Sequence, residues 1–259
     1  MFKYELLNLY QDYLKAFYSK ETVRNYINRL DIILDRQNRL DILKSLDFNK
    51  ILDNLAKIKY KNHFSQSKNA FLHFCTFQNI QLNEEVKEKI KLLELETKKK
   101  KRSLKTLDFN KTEQTIKRIK NQKLKQNYQT LILLGVRVSE LAGIAKKDCI
   151  VSDNEINFSY SAKGGKERSV TFYKDKEPKL FANLKKEIEA IKDPTAKIFL
   201  SANYLQKNAV KYDFTCHDLR RAFAKREYKA TKSKRVVKEK LGHTNMKTTN
   251  IYLRSKVKI

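Results

Sequence analysis

The chain has 259 residues, with 57 Lys plus Arg against 29 Asp plus Glu, a formal charge of +28. Its 41% hydrophobic content is enough for a real core and excludes global disorder. Five glycines and two prolines exclude collagen-like, linker-like and all-β sandwich readings and favour helix, whose interior rejects both residues. A positive surplus of this size repels itself unless a polyanion is nearby. A nucleic acid is therefore the expected partner, with AT-rich coding bias toward Lys and Asn supplying part of the excess.

Cys75, Cys149 and Cys216 are far apart and lack C-x-x-C spacing, which argues against a disulfide framework or zinc site and for a reducing cytoplasm. The opening MFKYELLNLYQDYLKAF carries Glu5 and Asp12 among its apolar residues and reads as an amphipathic helix, not a signal peptide. No apolar run approaches the roughly 18–20 residues that span a bilayer, so a soluble protein without a membrane partner is expected.

In chain order, Leu6, Leu9, Tyr10, Tyr13, Leu14 and Phe17 repeat at helical spacing. A second helix is expected to start at Ser19 or Lys20 and to continue through Val23, Tyr26, Ile27 and Leu30. Ile51, Leu52 and Leu55 give a third apolar face; Phe71, Leu72, Phe74, Cys75 and Phe77 give a fourth. Such stripes read as core and not as a base-stacking platform. Arg24, Lys68 and Asn69 are expected at helix starts, as candidate phosphate contacts. The run Lys98-Lys99-Lys100-Lys101-Arg102 breaks the periodicity. It is expected to be an extended linker that can lie along a phosphate backbone through Lys100 and Arg102. The expected organisation is a helical domain over 1–97, a basic linker over 98–104 and a second domain over 105–259. Residues 1–102 carry a net charge of +8 and the remainder +20.

The second half is mixed. Gln114–Ile119 and Tyr128–Leu134 are expected to be helical. Ile156, Phe158 and Tyr160 alternate, as do Val170 and Phe172, and between them lies Ala162-Lys163-Gly164-Gly165-Lys166-Glu167-Arg168. Adjacent glycines between alternating runs predict a β-hairpin, because they accept the positive φ of a tight turn. Helices are expected again over Asp218–Tyr228, Val236–Leu241 and Thr248–Arg254. The fold class is thus mainly α with a small β-hairpin or sheet (α+β).

The candidate chemistry forms an ordered set. Arg137 follows Gly135 in Leu-Gly-Val-Arg-Val-Ser-Glu-Leu. Lys163 opens the hairpin turn. His217 and Arg220 stand three apart in Cys-His-Asp-Leu-Arg-Arg, on one face of a helix. His243 follows Gly242, and Tyr252 lies nine residues on in Thr-Thr-Asn-Ile-Tyr-Leu. Each residue alone has an ordinary structural explanation; five elements in this order do not arise easily by coincidence.

From about Leu131 to Leu253 the chain resembles the catalytic domain of the tyrosine recombinases, the phage integrase family, and within it the Xer-like simple members. Gly-Val-Arg-Val-Ser-Glu-Leu (135–141), His-Asp-Leu-Arg-Arg-Ala-Phe-Ala (217–224) and Leu-Gly-His-Thr-Asn-Met-Lys-Thr-Thr-Asn-Ile-Tyr (241–252) carry the resemblance. The first half is similar to the family's helical core-binding domain in helix pattern and size only. The resemblance implies two domains forming a C-shaped clamp on a double-stranded DNA recombination site. It further implies assembly as a homotetramer or heterotetramer, strand exchange through a Holliday junction, and no metal or other cofactor.

The resemblance also implies roles. Arg137 and Arg220 would clamp the scissile phosphate, Tyr252 would attack it to form a 3′-phosphotyrosyl bond, and Lys163 would protonate the leaving 5′-oxygen. His217 would accept or relay the tyrosine proton and His243 would hydrogen-bond the phosphate. Lys166, on the same hairpin, competes with Lys163 for the acid role, and Lys166, Arg168 and Arg221 are otherwise candidate DNA contacts. Two departures stand out: only seven residues follow Tyr252, and the Lys-rich stretch 226–240 lacks the glycine common before the second His motif. A type IB topoisomerase-like relaxing enzyme shares this chemistry, and a non-catalytic DNA-binding protein also explains the charge. Chromosome-dimer resolution, plasmid maintenance and element mobility are all compatible with the motifs.

Overall fold

A computed structural model describes residues 5–34, 47–98, 107–162, 165–255 and 257–258. The chain divides into two compact units, Met1–Arg102 and Ser103–Ile259. The sequence candidates Lys100, Arg102 and Lys163 lie outside the described residues.

The described part of the first unit is helical: α1 (Glu5–Phe17), α2 (Lys20–Ile33), α3 (Phe48–Ala56), α4 (Lys61–Phe77) and α5 (Glu84–Glu96). Short polar side chains start three of them. Ser19, Asp47 and Asn83 accept hydrogen bonds from the backbone N–H groups of Thr22, Lys50 and Val86, satisfying donors that the first helical turn leaves unpaired. Tyr10, Leu14, Val23, Leu30, Ile51, Leu55, Phe71 and Phe74 meet in one core. The expected α1 stripe is too wide, since Leu9 and Phe17 stand in solvent. Neither Arg24 nor Lys68 begins a helix. Arg24 is an exposed residue one turn into α2; Lys68 is in mid-α4, ion-paired with Glu94 of α5 at 2.5 Å, because α4 starts seven residues earlier. Lys98 is bonded back to its own unit through backbone hydrogen bonds with Lys59 and Lys61.

The second unit begins with β1 (Leu107–Asp108), α6 (Phe109–Lys117), α7 (Gln122–Leu134) and α8 (Val138–Gly143). A three-stranded antiparallel sheet follows, from β2 (Cys149–Val151), β3 (Glu155–Ala162) and β4 (Lys166–Tyr173) in the order β2-β3-β4. Ile156, Phe158 and Tyr160 all face the core, as period-2 alternation requires, and Tyr160 lies opposite Arg168 in the hairpin register. Gly165 takes the positive φ (74°) that the turn demands. Then come α9 (Pro178–Ala190), α10 (Ala202–Lys211), α11 (Cys216–Thr231), α12 (Lys234–Leu241) and α13 (Met246–Leu253). A last strand, β5 (Val257–Lys258), pairs in parallel with β1, so the segment after Tyr252 is bonded to its own unit.

The sheet and α7 to α10 enclose one core, while α11 packs against α7 on one side and α12 and α13 on the other. That central place for α11 positions the site. Gly135 ends α7 in the left-handed region (φ 64°), and a Cβ there would fall 2.2 Å from the Phe223 ring of α11. The α11–α12 connection has no glycine, yet it needs the same conformation: Lys232 caps α11 at φ 53°, ψ 10°. Among the described residues no helix is long and apolar enough to cross a membrane.

Candidate active site

The structure brings five sequence candidates into one cluster in the second unit: Arg137, His217, Arg220, His243 and Tyr252. Arg137 is the N-cap of α8. Its backbone N–H donates to Glu140 Oε2 at 2.6 Å and its Nη1 to Glu140 Oε1 at 2.5 Å. Glu140 is buried and its Oε2 also lies 3.6 Å from Arg220 Nη1. One carboxylate therefore sits between two guanidiniums whose mutual repulsion it offsets.

Arg220, on the second turn of α11, is only 2% exposed. Its Nη1 donates to Gly135 O and its Nη2 to Leu241 O, both at 2.6 Å, and its Nε has no partner. The guanidinium thus joins the end of α7, the second turn of α11 and the end of α12, the three segments that carry the family-like motifs. Burial first, then Arg137, lowers the pKa of Arg220 while Glu140 opposes them; a guanidinium stays charged at neutral pH all the same.

Tyr252, on α13, is 7% exposed, with its hydroxyl 3.3 Å from His217 Nε2. Its ring meets the His243 ring edge-on, centroids 4.8 Å apart and planes at 85°. His217 is the second residue of α11, whose N-cap is Thr215, and a Thr215–Asp218 capping box fixes the helix start. Partial burial, then Arg221 and Arg220, holds the His217 pKa below that of a free imidazole. His243 follows Gly242, the left-handed cap of α12 (φ 63°). Burial, then Arg220, Arg137 and Arg168, pulls the His243 pKa down to about 4, with Glu140 opposing. Both environments favour the neutral imidazole over the charged one.

Arg168 reaches from β4 to α12, where Nη2 donates to Glu239 O at 2.9 Å and Lys240 O at 3.4 Å. It is a strut between the hairpin and the His243 turn, and its Nη1 is buried without a partner. Arg221 pairs with Asp218 of its own helix at 2.9 Å, and Lys166 is exposed on the hairpin. Arg137, His217 and Arg220, with Gln206 and Val210 of α10, line an open cleft of about 270 Å³. The two guanidiniums of Arg137 and Arg220 against the one buried carboxylate of Glu140 leave a net positive field there, a local environment suited to a phosphate. Among the described residues no three His, Cys, Asp or Glu side chains converge as a metal site.

Two members of the cluster escape the motif reading. Glu140 has a signal in the sequence, a carboxylate three residues after an N-cap, which places it back over the helix start. Thr249 lies one turn before Tyr252 on the same helix face and bonds His243 Nδ1 at 3.0 Å.

The match to the phage integrase family covers residues 105–258. The chain belongs to the phage integrase family. It is 32% identical to the tyrosine recombinase XerC of Vibrio cholerae over 133 residues, 46% of this chain and 42% of that relative. It is 27% identical to the tyrosine recombinase XerA of Pyrococcus furiosus over 266 aligned positions, covering 91% of this chain and 84% of that one. The chain thus matches less than half the length of XerC. Among solved structures, a lambda integrase tetramer bound to a Holliday junction shares the fold with a TM-score of 0.68 at 14% identity, covering 98% of this chain and 77% of that one. The XerH recombinase bound to a palindromic difH substrate gives 0.61 at 17% identity, over 90% and 76% of the two chains.

Proposed function

We propose that the protein is a site-specific tyrosine recombinase, which cuts and rejoins DNA strands through a covalent tyrosyl intermediate. The observation that carries this reading is the Tyr252 hydroxyl 3.3 Å from His217 Nε2, beside the guanidiniums of Arg137 and Arg220.

A phosphodiester is anionic and resists attack, so its non-bridging oxygens must be met by positive charge that grows stronger as they gain electrons. Arg137, partly exposed in the cleft, and the free Nε edge of Arg220 supply that charge. His217 Nε2 takes the hydroxyl proton as the Tyr252 oxygen attacks phosphorus. The bond to the 5′-oxygen breaks, that oxygen leaves as a hydroxyl after receiving a proton from Lys163, and a 3′-phosphotyrosyl bond remains. Attack by a 5′-hydroxyl of a second strand reverses these transfers and releases Tyr252. The first unit is assigned to holding the core DNA site, and the basic run around residues 98–102 to phosphate contacts. The exposed cations Arg24 and Lys166 belong to the same role. The lambda integrase tetramer bound to a Holliday junction and the XerH recombinase bound to its difH substrate support a tetramer as the working assembly and Holliday-junction exchange on a recombination site; double-stranded DNA as substrate and a cytoplasmic location belong to the same reading.

The test uses inverted-repeat sites from the DNA neighbouring the gene, each nicked beside the scissile phosphate so that a covalent adduct is trapped. The wild-type protein is expected to form the adduct and Tyr252→Phe to form none. Equal adduct from both proteins, or none from either on any such site, would overturn the reading. Supercoil relaxation without exchange between two sites would reassign it as a topoisomerase-like enzyme.

A further inference from the structure

We propose that Thr249 is a positioning residue that fixes the tautomer of His243, so that its Nε2 carries the proton and acts as a hydrogen-bond donor into the site.

Thr249 is fully buried in α13. Threonines inside helices commonly donate to the carbonyl four residues back. Thr76, Thr112, Thr115, Thr130 and Thr231 all do so here. Thr249 does not: among the described residues its hydroxyl has a single hydrogen-bond partner, His243 Nδ1 at 3.0 Å. A buried hydroxyl that withholds its proton forfeits about 1–3 kcal/mol. Nδ1 is its one acceptor, so the hydroxyl donates and Nδ1 accepts. A neutral imidazole carries one proton, which then resides on Nε2.

That nitrogen is buried and has no partner of its own. It belongs to a ring packed edge-on against Tyr252 and faced by Arg220, Arg137 and Arg168. These cations make protonation of both nitrogens costly, so charge cannot substitute for the correct tautomer. With the opposite tautomer, Nε2 would present a lone pair to an incoming phosphate oxygen and repel it. The phosphate hydrogen bond that the family resemblance implies for His243 thus requires the tautomer that Thr249 selects. The inference about Nε2 concerns the free protein and holds or fails by itself, while its catalytic consequence rests on that reading.

The experiment is nitrogen NMR of histidine-labelled free protein at neutral pH, with His243→Gln used only to assign the resonances. Wild type is expected to show a pyrrole-type Nε2 and a pyridine-type Nδ1 at His243. Thr249→Ser, which keeps the hydroxyl, is expected to match it. Thr249→Val, similar in shape without the hydroxyl, is expected to populate both tautomers. On the nicked DNA substrates, Thr249→Val is expected to slow adduct formation about tenfold at saturating DNA, equivalent to about 1.4 kcal/mol, without weakening DNA binding. Thr249→Ser is expected to retain the wild-type rate. A pyrrole-type Nδ1 in wild type would overturn the proposal even if the enzyme cleaves DNA. An unchanged tautomer in folded Thr249→Val would do the same. Should Thr249→Val not fold, the wild-type and Thr249→Ser spectra decide.

Discussion

The guanidinium of Arg168 fills the space beside Gly242 that any other residue would need: a Cβ there would fall 1.6 Å from Arg168 Nη1. The left-handed backbone of Gly242 favours glycine there, and a Cβ would in addition have to push the Arg168 guanidinium off its bonds to Glu239 O and Lys240 O. Gly242→Ala is expected to cost more than the roughly 1–2 kcal/mol of a left-handed alanine. In an Arg168→Ala background the steric part disappears and the same change is expected to cost only the backbone part. Urea unfolding of the wild type, both single variants and the double variant measures the coupling; additive effects would show that the contact exerts no steric control.

Glu140 makes a second prediction about charge balance. It accepts from both the backbone and the side chain of the partly exposed Arg137 and lies beside Arg220, its own carboxylate buried. Glu140→Gln removes the negative charge but not the shape, leaving two neighbouring guanidiniums unopposed. The expected loss is about 3 kcal/mol of unfolding free energy. Orthophosphate is expected to restore more stability to Glu140→Gln than to the wild type, because an anion in the cleft takes over the missing charge. Thermal melts in chloride and in phosphate at equal ionic strength check both statements.

The third prediction concerns the left-handed cap of α11. Lys232 pays the Cβ penalty of a positive φ without a glycine. Lys232→Gly is expected to stabilise the protein by about 0.5–1 kcal/mol, the relieved strain being partly offset by greater freedom in the unfolded chain. Lys232→Val is expected to destabilise by more than that, since a β-branched side chain tolerates this region least. Chemical denaturation of the two variants reads the sign directly.

How much of this was legible beforehand depended on whether a residue's partners were near in sequence. The hairpin was readable because alternation and adjacent glycines are local, and so was the helix pairing His217 with Arg220. The short β2 strand was not, since three residues display no period. Helices α9 and α10 went unread although Pro178 at the first turn of one and the Ser201 cap of the other are local start signals. The family resemblance implies Arg220 as a phosphate clamp. Its second task, tying Gly135 O to Leu241 O, spans 85 and 21 residues and becomes visible only in the fold. Thr249 was invisible for the same reason: nothing in Thr-Thr-Asn-Ile-Tyr says which threonine turns its hydroxyl away from its own helix.

The two site histidines predict how stability varies with pH. The folded protein holds His243 at about 4, by burial first and then by Arg220, Arg137 and Arg168, and holds His217 below its free value in the same direction. An unfolded imidazole titrates near 6.5. Between roughly pH 4 and 6.5 the unfolded chain binds protons at these sites that the native state refuses, so stability rises with pH through this window. The contribution is complete above about pH 6.5 and is lost on acidification, with a limiting slope of about 1.4 kcal/mol per pH unit for each fully native-neutral histidine. Carboxylates with lowered values, such as Glu94 and Asp153, add their own losses only at lower pH. Urea unfolding at pH 7, 6 and 5 is expected to show falling stability in the wild type and a shallower fall in His243→Gln, whose amide cannot take up the proton. Parallel curves for the two proteins would mean that His243 is protonated in the native state, against the environment that surrounds it.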